Sequence, residues 1–247
     1  MVTASFEFHG KLNDFLKPVH RYCSVRCVCA QSATTKHMIE VLGIPHTEIG
    51  LIEVNKQVSS LQYLLQDGDH VLVHPLVYPV QHHQAVSAYP ASPHFLADAH
   101  LGGLARLLRM AGFDTLYDNF FRDDEIVRIA AEQNRVILTR DLELLKRRNV
   151  IAGCYVRTLQ PAGQMEEVVV RFGLAQLARP FTLCLHCNVP LTRVEKAAVL
   201  ECLPPSVQEC QNEFSRCSCC KRVYWKGSHW QRMQNSLRTI ISNAGAA

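Results

Sequence analysis

Residues 94–148 read HFLADAHLGGLARLLRMAGFDTLYDNFFRDDEIVRIAAEQNRVILTRDLELLKRR, and their hydrophobic rhythm switches repeatedly between short apolar runs and helical spacing. HFLAD (94–98) is an apolar run of strand length. LGGLARLLRMAG (101–112) places Leu101, Leu104, Leu107, Leu108 and Ala111 on one helical face and stops at Gly112. FDTLYD (113–118) is a second strand and DDEIVRIAAEQ (123–133) a second helix. RVILTRD (135–141) is a third strand, and LELLKRR (142–148) opens another helix. CYVRTL (154–159) and a helix around Val168 to Leu177 continue the alternation. Strand and helix in turn predict a parallel α/β sheet with helices on its faces, over residues 94–179.

Upstream, residues 1–78 form a smaller β/α unit. SFEFHG (5–10) alternates as a strand does, TTKHMIEVLGI (34–44) is a helix stopped near Gly43, and LIEVN (51–55) and HVLVHP (70–75) are later strands. Asp67, Gly68 and Asp69 supply a turn between them. This order is consistent with a β-grasp fold. Residues 79–93, within YPVQHHQAVSAYPASP, are rich in Pro, Ala and Ser and make the expected linker. Downstream, residues 180–232 lose periodicity and gather cysteines, and residues 233–247 form a tail that continues a helix and frays at SNAGAA.

The 247 residues suit two or three small units, and a hydrophobic fraction of 48% gives each a core. No apolar run reaches the roughly 18 to 20 residues of a membrane helix. The N-terminus, MVTASFEFHGKLNDF, lacks the pattern of a secretory signal. Eleven cysteines in such a chain point to reduced thiols and a metal rather than a disulfide framework, hence to the cytoplasm. The net charge of +4 resides in residues 180–247, where 8 Lys/Arg face 4 Asp/Glu, as expected of a segment that touches phosphate.

Asp98 and Asp141 follow two predicted parallel strands, and Asp123 and Asp124 open the helix after another, so all four are expected at the sheet edge where ligands bind. Clustered carboxylates repel unless a cation neutralises them, and Mg²⁺ or Mn²⁺ prefers such oxygen ligands and bridges to phosphate. Arg106, Arg109 and Arg140 are candidate phosphate contacts. Plain structural roles stand beside these: Asp123 and Asp141 are also suitable helix N-caps, and the arginines are also ordinary helix-surface residues.

Cys184-Leu-His-Cys187 and Cys217-Ser-Cys219-Cys220 contain two C-x-x-C pairs separated by 29 residues. Cys184, Cys187, Cys217 and Cys220 make a closed tetrahedral set for a structural Zn²⁺, with no open position for water. Cys219 has the wrong spacing, and Cys202 and Cys210 are bystanders. KRVYWKGSHWQRM (221–233) then interleaves Tyr224, Trp225 and Trp230 with Lys221, Arg222, Lys226 and Arg232. This pattern suits either base stacking or packing of the zinc module, and His229 either a substrate contact or a partner of the zinc ligands. The run Tyr22 to Cys29 has three cysteines whose spacing fits no metal knuckle.

FLADAHLGGLARLLRMAGFDTLYD, DDEIVRIAAEQNRVILTRD, the two C-x-x-C pairs and YWKGSHW together resemble the Mut-seven C-terminal RNase family. LNDFL, IEVLGIPHTEIGLIEVN and LLQDGDHVLVHP are similar to the ubiquitin-like domain often attached to it. The resemblance implies a PIN-like nuclease domain with a fused zinc ribbon, and RNA hydrolysis by acidic residues holding Mg²⁺ or Mn²⁺. It assigns the acidic positions to Asp98, Asp123 and Asp141, with Asp124 as alternate, and zinc to the four named cysteines; such domains usually offer a fourth acid, for which Glu143 is the nearest residue here but matches no motif. RNA, whether tRNA, rRNA or mRNA, is the implied partner. HPLVYPV, where ubiquitin-type proteins carry Gly-Gly, has none, so the N-terminal domain is expected to dock RNA or protein rather than to be conjugated. The alternative is a non-catalytic RNA-binding adaptor.

Overall fold

Alternation of buried and half-buried residues along Val2–Phe8 (β1) gives this strand of the N-terminal sheet one inward face, with Ala4 and Phe6 pointing into the core. The computed structural model describes residues 1–77 and 93–245; the expected linker lies outside these apart from Pro93. After β1 come Val25–Cys29 (β2), helix Thr35–Val41 (α1), Ile49–Val54 (β3), Gln57–Ser59 (β4) and His70–Pro75 (β5). Then follow His94–Ala97 (β6), Gly102–Met110 (α2), Thr115–Leu116 (β7), Asp123–Gln133 (α3), Arg135–Thr139 (β8), Leu142–Lys146 (α4), Gly153–Tyr155 (β9) and Pro161–Phe172 (α5). The last elements are Leu191–Val194 (β10), Pro205–Cys210 (α6), Phe214–Cys217 (β11), Val223–Trp225 (β12) and Ser228–Gly245 (α7).

The chain divides into two units: Met1–Asp98 with Phe121–Val156, and Ala99–Phe120 with Arg157–Ala247. The division runs through the expected nuclease segment 94–179. In the first unit, five strands in the order β2-β1-β5-β3-β4 form a ubiquitin-like sheet. The parallel β1–β5 pair lies at its middle and the remaining pairs are antiparallel. Thr34 caps α1 by accepting the His37 N–H, and Gly43 at φ +112° turns the chain back toward Ile44, which is fully buried. The cysteine run has a plain role: Val25 to Cys29 are the edge strand β2, with Val25 and Cys29 facing inward.

The same unit holds three parallel strands, β6, β8 and β9, with β8 in the middle and buried along its whole length. Continuous burial explains the unbroken apolar run VIL at 136–138. α3 matches the expected helix residue for residue, but its N-cap is Arg122, not Asp123. The Glu125 carboxylate accepts the Arg122 N–H at 3.1 Å, which leaves Asp123 and Asp124 in the first turn, where the helix dipole favours acid.

The ubiquitin-like domain closes the β9 side of this sheet. Residues 46–48 are buried there: the Glu48 carboxylate accepts the Tyr155 N–H at 2.8 Å, and His46 Nε2 meets the Val150 carbonyl at 2.7 Å. Phe15 packs edge-on against Tyr155, with ring centroids 5.5 Å apart. Glu48 thus serves an edge-strand donor that would otherwise need water or another strand.

In the second unit, α5 starts earlier than expected. Pro161 stands in its first turn, and Gly173, left-handed at φ +62°, ends it, so only a short 3-10 turn covers Leu174–Leu177. The expected strand FDTLYD contracts to the two residues of β7. α7 runs through the expected boundary at residue 233 and packs on α5. Among the described residues, no helix is long and apolar enough to cross a membrane.

Replacing Glu48 by Ala strands the Tyr155 N–H in a buried contact. Chemical denaturation is expected to show a loss of about 1–3 kcal/mol. A variant with unchanged stability would mean that the docked face does not depend on this bond.

Candidate functional site

β6 and β8 run parallel in register, Ala97 opposite Leu138, so the residues just past them emerge side by side. The Asp98 N–H continues the ladder onto the Leu138 carbonyl at 3.0 Å. Thr139, fully buried at the tip of β8, donates its hydroxyl to Asp98 Oδ2 at 2.6 Å and accepts the Asp141 N–H at 3.0 Å. Asp141 caps α4, its Oδ1 accepting the N–H groups of Glu143 and Leu144 at 2.8 and 3.3 Å. One hydroxyl therefore ties Asp98 and the backbone of Asp141 together at the carboxyl edge of the sheet. Asp98 is 9% exposed, so its position is set by packing as well as by this bond.

Asp123 and Asp124 are engaged differently. Both ion-pair with Arg147, Asp123 at 2.7 Å and Asp124 at 2.5 Å. The two guanidinium nitrogens each take one carboxylate, which relieves the repulsion between neighbouring acids. The four aspartates thus form two groups, one built on Thr139 and one on Arg147, rather than a single cluster. Among the described residues, the four cysteines are the one group of three or more His, Cys, Asp or Glu close enough to hold an ion together. Glu143, the nearest fourth acid, ion-pairs with Lys146 at 2.8 Å.

The expected basic contacts separate. Arg106 is exposed on α2, Arg140 is half-buried after β8, and His229 is exposed near the start of α7. Lys226 is exposed and pairs with Glu213 at 2.7 Å. Arg109 does not face solvent: it is buried and donates to the carbonyls of Thr115, Leu185 and His186 at 2.8, 3.2 and 2.9 Å. Burial lowers its pKa, countered by Cys184, Asp114 and Cys187, and a guanidinium stays charged even so. Its place is therefore structural, tying α2 to the first cysteine knuckle. Asn188, just after that knuckle, adds a second tie by accepting the Thr115 N–H and donating to Asp114.

The sulfur atoms of Cys184, Cys187, Cys217 and Cys220 lie within 4.8 Å of one another, at the base of the antiparallel sheet β10-β11-β12. The Cys184 and Cys220 sulfurs are 3.7 Å apart. Two sulfurs on a tetrahedral Zn²⁺, each at about 2.3 Å, stand about 3.8 Å apart, so the cage fits zinc. Each knuckle is set by its own turn, in which the N–H of Cys187 or Cys220 points at the sulfur three residues back. Burial pushes the Cys184 thiol up, but hydrogen bonds from the Tyr224 hydroxyl, the N–H groups of Cys187 and His186, and Cys217 outweigh it and bring it to about 6. Burial and the neighbouring Cys220 push Cys187 up. Cys202, Cys210 and Cys219 are exposed and outside the cage.

Sequence reasoning missed three groups. Thr139 was only the first letter of the T-R-D segment, and Arg147 one of several basic residues in KRR. The hydroxyl of Tyr224, 3.2 Å from the Cys184 sulfur, gives that aromatic residue a place beside the metal cage that composition alone does not assign.

Replacement of Arg109 by Leu leaves three carbonyls unserved. We expect a loss of about 2–4 kcal/mol in thermal or denaturant unfolding of the zinc-loaded chain, with Lys a poor substitute because it lacks the planar fork. A Leu variant as stable as the parent would contradict the anchoring role.

Two family matches bear on this arrangement. Residues 93–237 match the Mut7-C RNAse domain, and residues 1–85 match the Mut7-C ubiquitin family. No curated protein and no solved structure matches the chain. The RNAse-domain match suggests a nuclease-related function, with RNA as substrate, and the ubiquitin-family match suggests protein interaction. With the larger match covering more than half of its residues, the chain belongs to the Mut7-C RNAse domain family and carries a Mut7-C ubiquitin domain ahead of it.

Proposed function

We propose that this protein is a cytoplasmic ribonuclease that hydrolyses RNA phosphodiester bonds at a carboxylate-bound Mg²⁺ or Mn²⁺. The observation that carries the proposal is the sharing of Thr139 by Asp98 and Asp141 at the tips of adjacent parallel strands. Mg²⁺ is commonly held by one or two carboxylates, waters and substrate phosphate, so a pair suffices to begin such a site. Eleven free thiols favour a reducing compartment.

Asp98 and Asp141 would hold the ion. When bound, it would offset charge on the scissile phosphate and lower the pKa of the attacking water. Thr139 fixes the Asp98 carboxylate and the backbone of Asp141, whose own carboxylate is held by the first N–H groups of α4, and this is the work of a positioning residue. Asp123 and Asp124 would add negative charge once substrate phosphate competes for Arg147, and the freed guanidinium would then contact the RNA backbone. Arg106 and Arg140, with Lys226 and His229 on the zinc module, are the proposed backbone contacts. The Cys184, Cys187, Cys217 and Cys220 cage would hold a structural Zn²⁺. The ubiquitin-like domain would bind a protein partner on the faces it does not use against β9.

Purified full-length chain with Mg²⁺ or Mn²⁺ should cut RNA, and Asp98→Asn should abolish cutting. The Asn side-chain oxygen still accepts from Thr139, so the fold should persist. Thr139→Val is expected to lower turnover by about 10- to 100-fold, with weaker metal dependence. RNA binding without turnover in the parent chain would favour the adaptor alternative, toward which the engagement of two aspartates by Arg147 points.

A further inference from the structure

A cavity of about 690 Å³ opens in the second unit between the β10-β11-β12 sheet and the first turns of α7. Its volume lies in the range of small-ligand clefts, about 300–1,000 Å³. The small core of the zinc module, Val199, Leu203 and Phe214 with a few half-buried neighbours, leaves this space unfilled. Five aromatic side chains line it: Phe181, Tyr224, Trp225 and Trp230, with the buried Phe214 at its floor. Two of them are fixed from behind. Tyr224 is held by its hydroxyl against the Cys184 sulfur, and Trp230 packs on Phe181 with centroids 5.0 Å apart. The rim carries Arg106, Arg193 and Lys226, all exposed, against the single acid Glu213. Glu213 is shared by Arg193 at 3.7 Å and Lys226 at 2.7 Å, so positive charge remains in excess around an interior of aromatic rings and aliphatic side chains such as Leu183 and Leu191.

The geometry points to a nucleotide-binding subsite: an unpaired base of single-stranded RNA enters between the aromatic rings while its flanking phosphates meet Arg106, Arg193 and Lys226. The inference deepens the ribonuclease reading and rests on it, since it supplies the substrate class. A base inside a duplex is stacked on both faces and cannot enter such a cavity, whereas a splayed base offers a free face to any aromatic ring. Aromatic rings without rim charge would suit an apolar peptide equally; three cations against one acid favour a polyanion. The subsite therefore selects single-stranded RNA over duplex and tolerates any base.

The chain has two tryptophans, Trp225 and Trp230, and both line the cavity, so tryptophan emission reports on it directly. The experiment uses the zinc-loaded full-length chain carrying Asp98→Asn, titrated with a short oligoadenylate and with a blunt RNA duplex of equal length. The single strand should quench the emission and the duplex should not. Trp230→Leu should weaken oligoadenylate binding by roughly 5- to 150-fold, the worth of one base–aromatic stack. Arg193→Ala with Lys226→Ala, two surface changes that spare the core, should flatten the dependence of log affinity on log salt by about 0.7 for each lost phosphate contact. Oligoadenylate that binds without quenching and with an unchanged salt slope in the double variant would place RNA elsewhere and overturn the subsite. The ribonuclease reading would then survive if the parent chain still cuts RNA. Equal quenching by duplex would also overturn it. Absence of both binding and cleavage would overturn both.

Discussion

The hydroxyl of Thr139 joins the tips of two parallel strands. β6 and β8 are buried and in register, and their first residues beyond the sheet are Asp98 and Arg140, followed by Asp141. Parallel strands deliver such residues to one edge. Thr139 donates to one carboxylate and accepts from the backbone of the other. Its complete burial makes this arrangement a property of the core rather than of a mobile loop. The ubiquitin-like domain contributes on the far side of the same strands, where Glu48 and His46 satisfy Tyr155 and Val150 and so brace β9 beside β8.

Within the second unit, α2 and α5 share buried apolar residues such as Leu104, Leu108, Met165 and Val168, whereas the ribbon that follows them is gathered around sulfur. Its ribbon has few buried apolar residues, so the cage of four thiols takes the place of packing, consistent with the large folding energy a structural zinc provides. Arg109 and Asn188 connect that cage to α2 and β7 through backbone groups. The chain therefore uses one positive charge within its own architecture, while Arg193 and Lys226 of the ribbon remain at the surface and share the single carboxylate of Glu213.

Much of this fold was legible in the sequence wherever burial imposed a strict period. β5 and α3 match their expected bounds because an unbroken alternation and a clear heptad-like face leave no other solution. The run Tyr22 to Cys29, whose cysteines fit no metal knuckle, is the edge strand β2 over Val25–Cys29, and only two of its five residues are buried, so its apolar period is faint. The start of α5 was signalled by Pro161 and went unused. Arg109 was misplaced as a surface contact, yet it lies four residues after the buried Ala105 and so on the same helical face. The candidate site was legible at Asp98 and Asp141, whose strands are continuous. It was not legible for Arg147, because which cation meets Asp123 and Asp124 depends on how α4 returns past α3, and no local pattern records that.

Manganese bound to the zinc-loaded full-length chain, counted by paramagnetic resonance, tests the central claim most directly. Bound Mn²⁺ is expected in the parent and is expected to be lost in both Asp98→Asn and Asp141→Asn, while the zinc content and the unfolding transition stay as in the parent. Manganese binding that persists undiminished in both variants, or RNA cleavage by the parent after removal of every divalent ion except the caged zinc, would contradict it.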